Sequence, residues 1–176
     1  MPLRLIEGDI TAQAVDAVVN AANSTLLGGR GVDGAIHAKG GPAILAECRR
    51  LRQTRLPDGL PAGQAVATTA GVLSARWVIH TVGPVFSRRE DRSALLHSCY
   101  RASLEMALQL GARSIAFPLI SAGAYGWPIS DAVTIALAEL RAAPAQLDVR
   151  LVLFGERIFD IARQAWDRPL DAAPSA

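Results

Sequence analysis

The chain has 176 residues, 51% of them hydrophobic and 19% charged, with a formal net charge of +2. That length points to about one domain with a sizeable core, and the apolar content excludes intrinsic disorder. The small net charge argues against nucleic acid as a partner, and two cysteines, Cys48 and Cys99, are too few for a disulfide framework or a zinc site.

In chain order, short β-branched runs alternate with segments of helical period, the pattern of an α/β layered fold. Arg4 and Glu7 bring charge before a signal-peptide apolar core can form. The first strand is expected at residues 4–7 and the second at 17–20. Helices follow at 34–39 and at 42–52, the latter opened by Pro42, which suits a first helical turn. Strands are expected at 65–69 and 77–81. Residues 92–109 carry Leu95, Leu96, Cys99, Leu104 and Leu108 at helical intervals, and Gly111 then stops the helix. A strand at 114–118, a helix at 130–142, a strand at 150–154 and a helix at 156–166 complete the set. The Pro/Gly-bearing connections 55–64 and 83–90 are read as separating antiparallel neighbours. The longest uncharged stretch, 114–130, is broken by Pro118, Gly123, Gly126 and Pro128, whereas a membrane span needs about 20 apolar residues. The expectation is one cytoplasmic domain over residues 1–168, a frayed tail at 169–176, no membrane contact, no metal and no cofactor.

Four loops follow predicted strands, where α/β sheets bind ligands: 8–11, 20–24 running into 28–34, 80–84 and 121–126. Residues 29–34 spell GxGxxG. A Rossmann site fits poorly, because residues 21–28 separate the glycines from the strand and no acid stands about 20 residues on. A P-loop fails because Lys39-Gly40 lacks the following Ser or Thr. What survives is the physics of glycine amides and a helix N-terminus drawing an anion. Loop 121–126 has the same character, so two segments can grip one diphosphate.

Asn20 and Asn23 bring amides that donate and accept, suiting hydroxyls or a positioned water; Asn20 equally suits an Asx turn. Asp33 is either an N-cap or a ligand-facing carboxylate that orders or deprotonates water. His37, four residues on, shares its helix face and either bonds the loop or ligand or is structural. His80 and His97 are read as structural. Asp9, at a strand end, is suited to accept from an exocyclic amine such as that of adenine. A serine hydrolase built on Ser121 is set aside, since Leu119 stands where the nucleophile elbow needs glycine.

Taken together, residues 8–11, 15–24, 28–37, 78–84 and 117–126 resemble the macrodomains, in their MacroD-type branch, in order from about residue 3 to 166. The resemblance implies a three-layer α/β/α sandwich around a mixed, largely parallel sheet of about six strands, with an ADP-ribose cleft at the strand ends. It casts Asp9 as holding the adenine amine with Ile10 beside it. It sets Asn20, Asn23 and Asp33 around the distal ribose, with His37 adjacent. It makes Gly31 and Val32 part of the ligand site, and Ser121, Ala122, Gly123, Ala124, Tyr125 and Gly126 the diphosphate loop. Phe154 falls where an aromatic packs near adenine. The implied activity is metal-independent hydrolysis of mono-ADP-ribose from Asp and Glu side chains of modified proteins, together with deacetylation of O-acetyl-ADP-ribose. The base is Asp33 or the substrate's own phosphate. The alternatives are a non-catalytic ADP-ribose reader, or a surface partner acting through Arg49, Arg50, Arg52 and Arg55. Arg30 departs from the branch by interrupting four glycines: it points to solvent, pairs with substrate, or obstructs the ribose. Ala122 and Ala124 replace the more usual Thr and Val.

Overall fold

Alternation of apolar runs with amphipathic segments builds the elements in the computed structural model, which describes residues 3–168. They are β1 (Leu3–Glu7), a 3-10 turn (Ile10–Ala12), β2 (Ala17–Ala22), α1 (Gly31–Gly40), α2 (Pro42–Thr54), β3 (Ala65–Thr69) and β4 (Trp77–Val82). There follow α3 (Ser93–Gln109), β5 (Ser114–Phe117), α4 (Ile129–Arg141), β6 (Asp148–Leu153) and α5 (Glu156–Trp166). The predicted tail 169–176 lies outside the described residues.

The strands form one mixed sheet in the order β1-β6-β5-β2-β4-β3. All neighbours are parallel except β3 and β4. Parallel strands are covered on both faces and so read as continuous apolar runs; in β2, Ala17, Val18, Val19 and Ala22 are all buried. Val19, Ile79, Tyr100, Phe117 and Leu140 pack on the face under α3, α4 and α5. Val18, Val78, Ile36, Ile44 and Cys48 pack on the opposite face under α1 and α2. The three-layer sandwich is therefore the observed architecture. Among the described residues no helix is long and apolar enough to cross a membrane.

Several element ends shift by one to three residues from expectation, and three differences bear on the cleft. The antiparallel pair is β3–β4, joined by residues 70–76, whereas 55–64 links α2 to β3 and 83–90 leads from β4 towards α3. β2 runs on to Ala22, because Ala21 and Ala22 pair with Thr81 and Val82 of β4. α1 begins at Gly31, not Gly34. The five parallel strands end on one edge of the sheet, which brings Asp9, Asn23, Gly83, the loop after β5 and Phe154 to the same side.

Candidate functional site

Two adjoining hollows open along that edge. The larger, about 460 Å³, is mainly apolar and is bounded by Asp9, Ile10, Ala35, Val152 and Phe154. The smaller, about 230 Å³, is bounded by Asn23, Arg30, Asp33, Ser121 and Tyr125. Gly31, Val32, Leu119 and Gly123 line both. The first turn of α1 and the loop after β5 thus make the waist of one continuous cleft.

Both sides of that waist supply backbone donors. The opening amides of a helix have no intrahelical acceptor, and Arg30 at the N-cap of α1 makes no side-chain capping bond. Opposite, Ser121 adopts φ 64°, a left-handed conformation uncommon for a residue with a Cβ. Its surroundings enforce the turn: Ile120 N donates to Tyr100 Oη at 3.1 Å, and Trp127 N donates to Ser121 O at 3.1 Å. Trp127 Nε1 donates to Pro84 O at 2.9 Å, tying the loop to the end of β4. Gly83 has to be glycine, because a Cβ there would collide with Ser121 Oγ. Among the described residues, the amides of Ala122, Gly123, Ala124 and Tyr125 donate to no backbone carbonyl. Ala122 is half-buried, while Gly123, Ala124 and Gly126 are exposed.

In the larger hollow, one Asp9 carboxylate oxygen accepts from Thr11 N at 2.8 Å and Thr11 Oγ1 at 2.7 Å, capping the 3-10 turn. The Thr11 hydroxyl and amide hold the Asp9 carboxyl below its usual range. The second oxygen has no protein donor among the described residues. Ile10 is buried beside it, and Phe154, 80% exposed, stands on the rim.

At the other end, Asp33 is the third residue of α1 rather than its N-cap, and it is buried. Its Oδ1 accepts from Asn20 Nδ2 at 2.7 Å. His37 Nε2 lies 3.4 Å from that same oxygen but makes no hydrogen bond. A Cβ on Gly29 would stand 2.9 Å from Asp33 Oδ2 and 3.2 Å from Asn23 Nδ2, and one on Gly34 would stand 2.7 Å from Gly29 O. These glycines therefore let the loop close on the carboxylate. Arg30, beside them, is exposed on the rim.

The Asx turn falls to Asn23 rather than Asn20, and of the two only Asn23 lines the cleft. Asn23 makes the Asx turn, its Oδ1 accepting from Thr25 N at 3.0 Å while Nδ2 donates to Gly28 O at 3.0 Å. Asn20 lies inside β2, is fully buried and does not line the cleft. His80, read as structural, stands directly across from Asn20 in the β2–β4 register, with its Nδ1 3.1 Å from Asn20 Nδ2. The available signal was Asn20 and His80 themselves, each set within a largely apolar strand. His97 pairs with Glu139 at 2.6 Å, away from the cleft. Arg52 donates to the carbonyls of Leu56, Thr25 and Pro57, which closes α2 and leaves it unsuited to a surface partner.

His37, Cys48 and His80 bring ligand-type atoms within 4.8 Å of one another. The set does not suit a metal: burial pushes the Cys48 thiol up to about 12, and both His80 nitrogens are engaged by Asn20 and Thr68. Burial, with His37 nearby, also pushes His80 down to about 3 from 6.5. Below pH 6.5 the unfolded chain then binds a proton that the folded one refuses, so stability falls as pH drops towards 3. Urea unfolding of wild type is expected to lose up to about 1.4 kcal/mol per pH unit more than His80→Asn between pH 6 and 4. Parallel curves would show that His80 does not titrate in this way.

Comparison with known proteins agrees with this fold. The family model for the Macro domain matches residues 19–136. A macro domain-containing protein of Streptomyces nogalater is 61% identical over 167 residues, covering 94% of this chain and 92% of that protein. The solved Oceanobacillus iheyensis macrodomain with ADP superposes with a TM-score of 0.90 at 41% identity, covering 93% of this chain and 89% of that one. The Trypanosoma brucei macrodomain in complex with ADP-ribose gives 0.84 at 38% identity, covering 94% and 69%. Sequence, topology and the cleft at the strand ends lead to the same place: the chain belongs to the macro domain family.

Proposed function

We propose that this protein binds ADP-ribose along the cleft and hydrolyses the ester joining it to acidic side chains of modified proteins. The observation that carries the reading is the buried Asp33 carboxylate beside a hollow that opens, past a waist of free amides, into a larger apolar one. Adenine occupies the apolar hollow between Ile10, Val152 and Phe154, its amine donating to the free oxygen of Asp9. The diphosphate sits between the opening amides of α1 and those of residues 122–125, where helix polarity and unpaired N–H groups favour anions. The distal ribose enters the smaller hollow, with Asn23 and Asp33 on its hydroxyls and His37 behind the carboxylate. The neighbours crystallised with ADP and with ADP-ribose support this ligand.

An acyl ester is electrophilic enough for positioned water, so the residues need only orient the reactants and receive a proton. Asp33 takes a proton from water as its oxygen bonds to the ester carbonyl. The bond from the acyl carbon to the ribose oxygen then breaks, Asp33 returns the proton to that oxygen, and a carboxylic acid and an ADP-ribose hydroxyl are released. An acetyl ester follows the same course and gives acetate. Residues 1–168 act as one functional domain in the cytoplasm. Arg30 on the rim of the ribose hollow favours a second reading, a module that binds ADP-ribose without turnover. Calorimetry with ADP-ribose, run beside a release assay on aspartate- or glutamate-modified protein, decides between them. Binding with release supports the hydrolase, binding alone the reader, and neither removes both.

Asp9→Asn keeps an acceptor for the Thr11 cap but turns an N–H towards the adenine amine. The variant is expected to lose about 10- to 100-fold in ADP-ribose affinity, the worth of one hydrogen bond to a charged group, with ribose 5-phosphate binding unchanged. Equal losses for the two ligands would remove Asp9 from the adenine pocket.

A further inference from the structure

Behind Asp33 runs a chain of polar groups, Asn20, His80 and Thr68, none of which lines the cleft. Thr68 Oγ1 donates to Thr69 O at 3.0 Å, which leaves it an acceptor for His80 Nε2 at 2.8 Å. His80 Nδ1 lies 3.1 Å from Asn20 Nδ2, and the same Nδ2 lies 2.7 Å from Asp33 Oδ1. Thr68, His80, Asn20 and Asp33 are all buried. Cys48 Sγ, 3.8 Å from His80 Nε2, and the His37 ring, 6.2 Å away, are the other titratable groups facing the imidazole.

One assignment of protons satisfies every link. His80 carries its proton on Nε2 and gives it to Thr68, so its bare Nδ1 accepts one Asn20 N–H while the other N–H goes to Asp33. The opposite tautomer would set N–H against N–H at Asn20. Rotating the Asn20 amide to relieve that clash would face its carbonyl oxygen towards the Asp33 carboxylate. Because one nitrogen serves both partners, the tautomer of His80 fixes which end of Asn20 meets Asp33.

We infer that His80, held by Thr68, is a positioning residue that fixes the Asn20 amide and through it the Asp33 carboxylate, so that Asp33 Oδ2, beside Gly29, is the oxygen presented to water. The inference rests on the hydrolase reading above for its effect on rate, though not for the existence of the chain. His80→Asn keeps an acceptor where Nδ1 stood, His80→Leu removes it, and Thr68→Val removes the acceptor of Nε2–H with little change in shape.

The experiment combines nitrogen NMR of the histidine ring without ligand, ADP-ribose affinity by calorimetry, and steady-state ester release. Wild-type His80 is expected to be neutral with its proton on Nε2 from pH 8 to pH 5. His80→Leu is expected to lose about 10- to 100-fold in kcat, the scale of a small misplacement of a reacting group, with ADP-ribose Kd within about threefold. His80→Asn should recover most of that loss. Thr68→Val, which provides the test should His80→Leu not fold, should raise the population with the proton on Nδ1 and lower kcat. A proton on Nδ1 in wild type, a tautomer shift in Thr68→Val with unchanged kcat, or equal losses of kcat and affinity would each overturn the inference. A wild type that binds ADP-ribose but releases nothing would remove the hydrolase reading and this role in it, whichever tautomer the NMR shows.

Discussion

Replacing Asp33 with asparagine is expected to lower release of ADP-ribose from aspartate- or glutamate-modified protein by about 10²- to 10⁴-fold, the range of a general base, with ADP-ribose affinity within about fivefold of wild type. Asparagine is the informative substitution because its oxygen can still accept from Asn20, whose Nδ2 lies 2.7 Å from Asp33 Oδ1. Alanine would leave that buried N–H without its acceptor, at a cost of roughly 1–3 kcal/mol, and would mix a loss of stability with the loss of chemistry. Asp33 is buried in the first turn of a helix that also lines the waist. Removing its charge while keeping its shape should therefore touch proton transfer more than binding. Release timed by chromatography, with calorimetry on the same samples, separates the two. A variant with the wild-type rate would transfer the role of base to the substrate's own phosphate.

The second large effect is expected at Gly123, a loop residue that borders both hollows. An added Cβ there meets nothing within 4 Å, and the residue does not occupy the left-handed region, unlike Gly126 with φ 73°. Gly123→Asp should therefore fold as wild type does and keep its melting temperature. Its carboxylate would stand within a few ångströms of the proposed diphosphate. Like charges about 4–6 Å apart at a protein surface repel by roughly 2–4 kcal/mol, equivalent to an approximately 30- to 1,000-fold rise in Kd for ADP-ribose. Raising the salt should recover part of the loss. Unchanged affinity in a folded variant would move the phosphates away from this loop.

Local chemistry made much of this molecule legible from its residues. The β-branched runs and helical periods foretold the six strands and five longer helices, and strand-end loops pointed to Asp9, Asp33 and residues 121–126. What local chemistry hid was set by contacts between distant segments. The sequence places the start of α1 too late, at Gly34, because Gly31 is a poor helix former and Asp33 reads as an N-cap, while Gly34 itself lets α1 approach Gly29 O. Asn20 looked like a strand exit because the β-branched run stops with Val19, whereas pairing of Ala21 and Ala22 with β4 carries the strand onward. His80 looked like a solitary strand histidine. Its partnership with Asn20 spans 60 residues and exists only once β2 and β4 are in register. The antiparallel step was misplaced because Pro and Gly mark turns without saying which strands they join.

Crystals grown with ADP-ribose would show which groups hold each part of the ligand. Density is expected for a diphosphate held on one side by the amides of Gly31 and Val32 and on the other by those of residues 122–125. Adenine should lie beside Asp9 and the terminal sugar within hydrogen-bonding reach of Asp33 and Asn23. A nucleotide bound elsewhere, or a sugar that Asp33 does not reach, would contradict this placement.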